Sequence, residues 1–221
     1  MAEKFAKLAV LGGTGKEGKG LAYRFAKVGY HVTIGSRDIN KAKATADELN
    51  TTLNNSLVDG SDNLTAAQFA DIVILTVPYP AHKSALESVR EALIGKILID
   101  ATVPVVPPKV TRVQMPPAGS AAQEAREILG EEVEIVDAFQ SISYKHLMLE
   151  EDVACDVLVT GTSKDARQTV LKLVESAGLI GWDAGPIENS VVVEGLTSLL
   201  RYINKQYGTT HAGIKITGAS K

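Results

Sequence analysis

Eight short apolar runs, rich in β-branched residues, alternate with helical patterns along the whole chain. "KLAVLG", "HVTIGS", "NSLV", "DIVILTVP", "KILIDATVP", "EVEIVDAF", "CDVLVTG" and "LIGWDAG" read as strands. Between them lie helix-like segments such as "EGKGLAYRFAKVG", "DINKAKATADELN" and "LTAAQFA". Continuous apolar runs bounded by turns belong to strands covered on both faces. Strands that each lead into a helix give a doubly wound α/β fold with a Rossmann-type parallel sheet. The last helical stretch, "SVVVEGLTSLLRYINKQYG", has no strand after it and reads as a small C-terminal helical part. The expected division is 1–185 for a dinucleotide-binding domain and 186–221 for a helix and tail that complete a site.

The first strand runs into "GGTGKEGKG", five glycines in nine residues. Glycine weakens regular structure, so such a run implies a backbone that something must approach closely. Gly13, Gly15 and Gly18 fit G-x-G-x-x-G at a strand-turn-helix junction. The first glycine makes the tight turn, the second admits a pyrophosphate, and the third lets helix and strand pack. The amides opening the helix then hold phosphate. Gly12, Gly15 and Gly18 also fit the looser G-x-x-G-x-x-G of extended short-chain dehydrogenases, which use a Tyr-x-x-x-Lys pair. Tyr23/Lys27 and Tyr79/Lys83 have that spacing, but both lie at unsuitable places in the chain.

The second strand ends in "TIGSRDINK". Enzymes that bind NAD place an acidic residue there, on the ribose hydroxyl. Ser36 and Arg37 stand in its place, and Lys41 follows one helical turn later. A hydroxyl beside a guanidinium suits a 2′-phosphate, so NADP is expected. Asp38 opens the next helix and reads as its cap.

Other classes are disfavoured. A formal charge of −3 argues against nucleic acid as a partner. The longest apolar stretch, "DIVILTV", is far below the ~20 residues that span a bilayer, and the N-terminus does not read as a signal peptide. The single Cys155 has apolar flanks and reads as buried and structural, in keeping with a cytoplasmic protein. His31, His82, His146 and His211 have no metal-ligand spacing, and no metal is expected. The proline-rich "ATVPVVPPKVTRVQMPPAG" reads either as a site wall or as a plain connection.

The motifs "LGGTGKEGKGLA", "GSRDINKA", "LTVP", "DAGP", "VEGLT" and "GIK" together resemble the coenzyme F420-dependent NADP reductases. The resemblance runs from the first strand to the last residues. It implies hydride transfer between NADPH and the deazaflavin coenzyme F420, a small-molecule acceptor, with no catalytic residue assigned. It also implies that Thr14, Gly15, Lys16 and Glu17 line the pyrophosphate, and that Ser36, Arg37 and Lys41 hold the 2′-phosphate. Val77 and Tyr79 would flank the middle of the cofactor, and Val105 and Ala212 the nicotinamide. The acceptor segment reads "FQSISYKH", with Gln140 and Ser143 where familiar members carry histidine and proline, and Tyr144 in place of a small residue. Gln140, Ser141 and Ser143 are the acceptor-pocket candidates, and Tyr144 is placed with the cofactor residues. The alternatives are an NADPH-dependent reductase of another acceptor, with Tyr144 or Ser141 as proton donor for a carbonyl, and a non-catalytic NADP redox sensor. A homodimer is expected by analogy with soluble enzymes.

Overall fold

A computed structural model describes residues 6–148 and 153–219. Its strands are β1 (Leu8–Leu11), β2 (Val32–Ser36), β3 (Val58–Asp62), β4 (Ile72–Leu75), β5 (Ile97–Asp100), β6 (Glu134–Asp137), β7 (Asp156–Gly161) and β8 (Ile180–Pro186). They form one sheet in the order β3-β2-β1-β4-β5-β6-β7-β8. Between and after them lie α1 (Lys16–Lys27), α2 (Ile39–Leu53), α3 (Asn63–Phe69), α4 (His82–Leu93), α5 (Ala121–Leu129), α6 (Tyr144–Leu147), α7 (Lys164–Ser176) and α8 (Ser190–Tyr207).

Successive side chains of β1 serve opposite faces of the sheet. Leu8 and Val10 join one buried cluster with Leu21, Phe25 and Ile34. Ala9 and Leu11 join a second with Ala66, Leu86 and Leu98. Both faces are therefore covered by helices, which is why the strand sequences show no polar alternation. The chain builds outward from β1 through β2 to β3, then returns to β4 on the other side of β1. That reversal leaves a crevice at the carboxyl ends of β1 and β4, where such folds bind ligands.

The expected Rossmann-type sheet is mostly parallel, with one exception: β6 and β7 pair antiparallel, through Val136–Gly161 and Asp137–Thr160. The other pairings are parallel. Between β6 and β7 the described chain holds only the one-turn α6, so no crossover helix carries it back to the opposite edge. The chain re-enters the sheet from the end at which it left.

β8 leads through a short turn into α8, whose inner face holds Val193, Glu194, Ser198 and Leu200. After Gly208 the tail is stitched to the start of β7. The Asp156 amide donates to the Ile214 carbonyl at 2.8 Å, and the Ile216 amide donates to Asp156 Oδ2 at 2.7 Å. A side chain at Gly213 would collide with Cys155. Cys155 is buried there, with Sγ 3.5 Å from the Ser141 carbonyl, in the structural role its apolar flanks suggest. Burial raises its thiol pKa, which keeps it inert.

Candidate active site

The glycine loop is built by exclusion. A Cβ at Gly13 would stand 2.7 Å from the Val10 carbonyl, and one at Gly18 would stand 2.7 Å from the Gly13 Cα and strike Thr76. Both glycines are therefore packing glycines. A Cβ at Gly15 would meet nothing closer than the Gly12 carbonyl at 3.3 Å, so packing does not demand glycine there and the space opens into the cavity. Gly15 caps α1 with no side-chain hydrogen bond, leaving the first amides of that helix open to an anion.

This loop opens into a cavity of about 1180 Å³ across the carboxyl ends of β1, β2, β4, β5 and β6. Ordinary ligand sites occupy roughly 300–1,000 Å³, so the volume suits an elongated dinucleotide with a second ring beside it. Thr14, Gly15, Lys16 and Glu17 line it, as do Ser36, Arg37, Val77, Val105, Gln140, Ser141, Ser143, Tyr144 and Ala212. Of the residues singled out in the sequence, Gly13, Gly18, Lys41 and Tyr79 do not line it. Asp38 caps α2, its Oδ1 accepting from the amides of Asn40 at 3.0 Å and Lys41 at 3.2 Å. Committed to that cap, it leaves Arg37 exposed at the rim and Ser36 buried beside it.

Tyr79 does not contribute to the cavity wall. It stacks on His82 with ring centroids 6.0 Å apart, and burial with the nearby Glu124 carboxylate pushes its phenol up to about 12. Neither Tyr-x-x-x-Lys pair forms a proton-transfer dyad. Tyr23 is buried in α1 with Lys27 over its ring, and Lys83 is exposed beside Glu87.

Glu17 has one carboxyl oxygen buried with no hydrogen-bond partner. Burial pushes its pKa up to about 8, so at neutral pH it is an uncharged acid in the loop whose open amides suit an anion. Above that value it becomes an anion among anions. The dissociation constant for NADPH is therefore expected to rise about fivefold between pH 7 and pH 9.5. Glu17→Gln should flatten that rise; an unchanged slope in the variant would remove Glu17 as its cause.

At the other end of the cavity, Gln140 donates through Nε2 to the Asp100 carbonyl at 2.7 Å and to Asp137. A carbonyl facing a carbonyl would repel, so the amide is fixed with nitrogen inward and its Oε1 left without a partner. Thr197 Oγ1 donates to the Gln140 carbonyl at 2.8 Å and ties α8 to this end of the sheet. Lys16 lies over the Tyr144 ring, 5.0 Å from its centroid, so the start of α1 approaches the start of α6.

Sequence reasoning missed Asn63, Thr102, Thr197, Arg201, Asn204 and Lys205, all of which line the cavity. Most lie outside recognisable motifs, but Arg201 and Lys205 carried a signal in their spacing and charge. The proline-rich stretch supplies Thr102, Val103, Val105, Val110 and Thr111, so it is a wall of the site. Glu194 proves to be a buried helix cap: its carboxylate accepts from the amides of Ala121 at 2.7 Å and Ala122 at 3.0 Å, opening α5. Lys215 is exposed and does not line the cavity. Among the described residues, no group of three or more His, Cys, Asp or Glu side chains is placed to hold a metal ion.

Residues 7–104 match the family described as NADP oxidoreductase coenzyme F420-dependent. The chain is 40% identical over 219 residues to the F420-dependent NADP reductase of Methanothermobacter thermautotrophicus, covering 96% of this chain and 94% of that protein. It is 36% identical over 220 residues to the enzyme of the same name from Methanocaldococcus jannaschii, covering 96% and 98%. A solved structure, a hypothetical protein from Sinorhizobium meliloti, shares the fold with a TM-score of 0.70 at 22% identity, covering 86% of this chain and 88% of that one. The chain thus belongs to the coenzyme F420-dependent NADP oxidoreductase family.

Proposed function

We propose that this protein transfers hydride between NADPH and the deazaflavin coenzyme F420. The observation that carries the reading is one continuous cavity, running from Ser36 and Arg37 past the glycine loop to Gln140 and Ser143. A chain in this family with such a cavity has places for both reactants. The donor and acceptor rings supply the redox chemistry when bound, and the protein's part is to bind, orient and exclude water.

Arg37 and Ser36 hold the 2′-phosphate, with Lys41 adding positive charge from α2. The opening amides of α1 hold the pyrophosphate, with Thr14 and Lys16 beside it. Val77, Val105 and Ala212 press on the nicotinamide end. Gln140 Oε1, fixed as an acceptor, receives an N–H from a ring. Residues 1–185 form the NADP-binding part in this reading, and residues 186–221 close the cavity and complete it.

The test is NADPH oxidation by the purified protein, with coenzyme F420 and with ordinary flavins offered in parallel. Turnover with F420 at least about tenfold above FMN is the expected result. Turnover with flavins alone would assign the cavity to another acceptor, and tight NADPH binding with no turnover would favour a redox sensor. The protein is further proposed to be a cytoplasmic homodimer. No described helix is long and apolar enough to cross a membrane, and α8 exposes Val192, Leu199 and Tyr202 on its outer face. Light scattering reads the mass directly, and a monomer at micromolar concentration would dispose of the dimer.

A further inference from the structure

The chain carries a formal charge of −3, yet nothing acidic follows Glu194. From Gly195 onward the sequence contains Arg201, Lys205, Lys215 and Lys221 with no aspartate or glutamate. Arg201 and Lys205 stand one helical turn apart on α8, and both line the cavity. Neither side chain makes a hydrogen bond or an ion pair with another described residue. Like charges at this spacing weaken a helix by a few tenths of a kcal/mol, so helix stability does not explain them.

Their position separates them from the NADP phosphates. Arg37 follows β2, whereas α8 is tied by Thr197 to the end of β6. Those strands stand four places apart in the sheet, about 19 Å at the usual spacing. The glycine loop that faces the pyrophosphate lies between, at β1. A dinucleotide with its 2′-phosphate on Arg37 and its pyrophosphate on that loop has no further anion for the far end. The polar side chains of Thr209 and Thr210 line the same end of the cavity, where Lys145 Nζ donates to Thr210 Oγ1 at 2.8 Å.

We propose that Arg201 and Lys205 form an anion subsite at the acceptor end of the cavity, which takes a phosphate or carboxylate carried on the acceptor's side chain. The proposal rests on reading the cavity as a hydride-transfer site, and what it adds is the pair of side chains on α8 that hold the acceptor's tail. Arg201 offers a fork of donors and Lys205 a mobile point charge, a pair suited to a tetrahedral or planar anion at a wet rim. The subsite acts on binding and orientation, so its loss should appear in KM for the acceptor.

The test compares coenzyme F420 with a deazaflavin carrying the same ring and sugar-alcohol chain but no charged tail. In the unaltered protein kcat/KM should favour the tailed acceptor at least about tenfold, the worth of one charge-assisted contact. In the double variant Arg201→Gln/Lys205→Gln that preference should fall to near unity, with kcat and the KM for NADPH unchanged. A third acceptor, ending in the phosphate without carboxylates, tells which anion is read. Equal slowing of both acceptors by the double variant, or an unchanged preference, would overturn the subsite. Equilibrium binding of the same deazaflavins by fluorescence separates the two claims. Tail preference in binding with no turnover would sink the hydride-transfer reading and uphold the subsite. Turnover with no tail preference would do the reverse.

Discussion

His82→Leu should lower the unfolding free energy by about 3–5 kcal/mol at pH 6, the usual cost of stripping one partner from a buried ion pair. His82 and Asp100 are both fully buried, with Nε2 2.6 Å from Asp100 Oδ2. The other ring nitrogen lies 3.3 Å from Glu124 Oε2. Asp100 is further committed through Oδ1, which accepts from the Thr102 amide at 2.9 Å. Two more carboxyls, Asp137 and Glu194, are fully buried close by. Burial raises both, Glu194 up to about 8, and each also feels its acidic neighbours. Removing the imidazole leaves an acid cluster without its cation. Burial alone would pull the His82 pKa down, but the Asp100 and Glu124 carboxylates outweigh it and raise the value above 6.5. A folded-state pKa above the unfolded one contributes stability that is complete below pH 6.5 and lost as pH rises through the folded value. The deficit of His82→Leu, read from urea midpoints, should therefore be larger at pH 6 than at pH 9. The double variant His82→Leu/Asp100→Leu should cost less than the sum of the singles. A loss under 1 kcal/mol at pH 6 would mean that the pair is not charged.

Arg37→Ala should reduce kcat/KM for NADPH about 10–100-fold while leaving NADH nearly untouched. Arg37 is exposed at the cavity rim, so its removal leaves no buried group unpaired and little stability is at stake. Ser36 is buried, and its Oγ accepts from the Asp38 amide at 3.2 Å, which leaves its hydroxyl proton free to donate. With Asp38 occupied as the α2 cap, no carboxylate is left over for a ribose hydroxyl at this position. Ser36→Ala should produce a smaller loss in the same direction. Kinetics with both cofactors separate the readings, since equal losses with NADPH and NADH would mean that Arg37 does not read the 2′-phosphate.

The glycine loop and the strand β2 ending were legible because their chemistry is local: a turn, a helix start and a phosphate act within a few residues. Strand β3 was expected over "NSLV" but begins at Val58. Its sequence, "VDGSD", has no apolar pattern, and its entry is set by the Asn50 side chain, which pairs with both backbone groups of Val58 at 2.8 and 3.0 Å. Gly60 is required there because a side chain would run into the α2 backbone at Ala42 and Lys43. None of this shows in hydropathy. The reversal at β7 and the His82–Asp100 pair were equally hidden, because each depends on partners brought together by the sheet. Tyr79 illustrates the limit: its motif position suggests the cofactor, whereas its ring stacks on His82 and does not line the cavity.

The two ends of the cavity are written in separate stretches of the chain. Arg37 and the glycine loop fall within its first fifth, and Gln140, Ser143 and Arg201 in its final two-fifths. They meet where Lys16 lies over Tyr144. In the proposed reading, substitutions at Gln140, Ser143 or Arg201 change the hydride partner at the far end and leave the Arg37 end as it is. Such a layout would let a lineage exchange one hydride partner for another without rebuilding the end that Arg37 and the glycine loop supply.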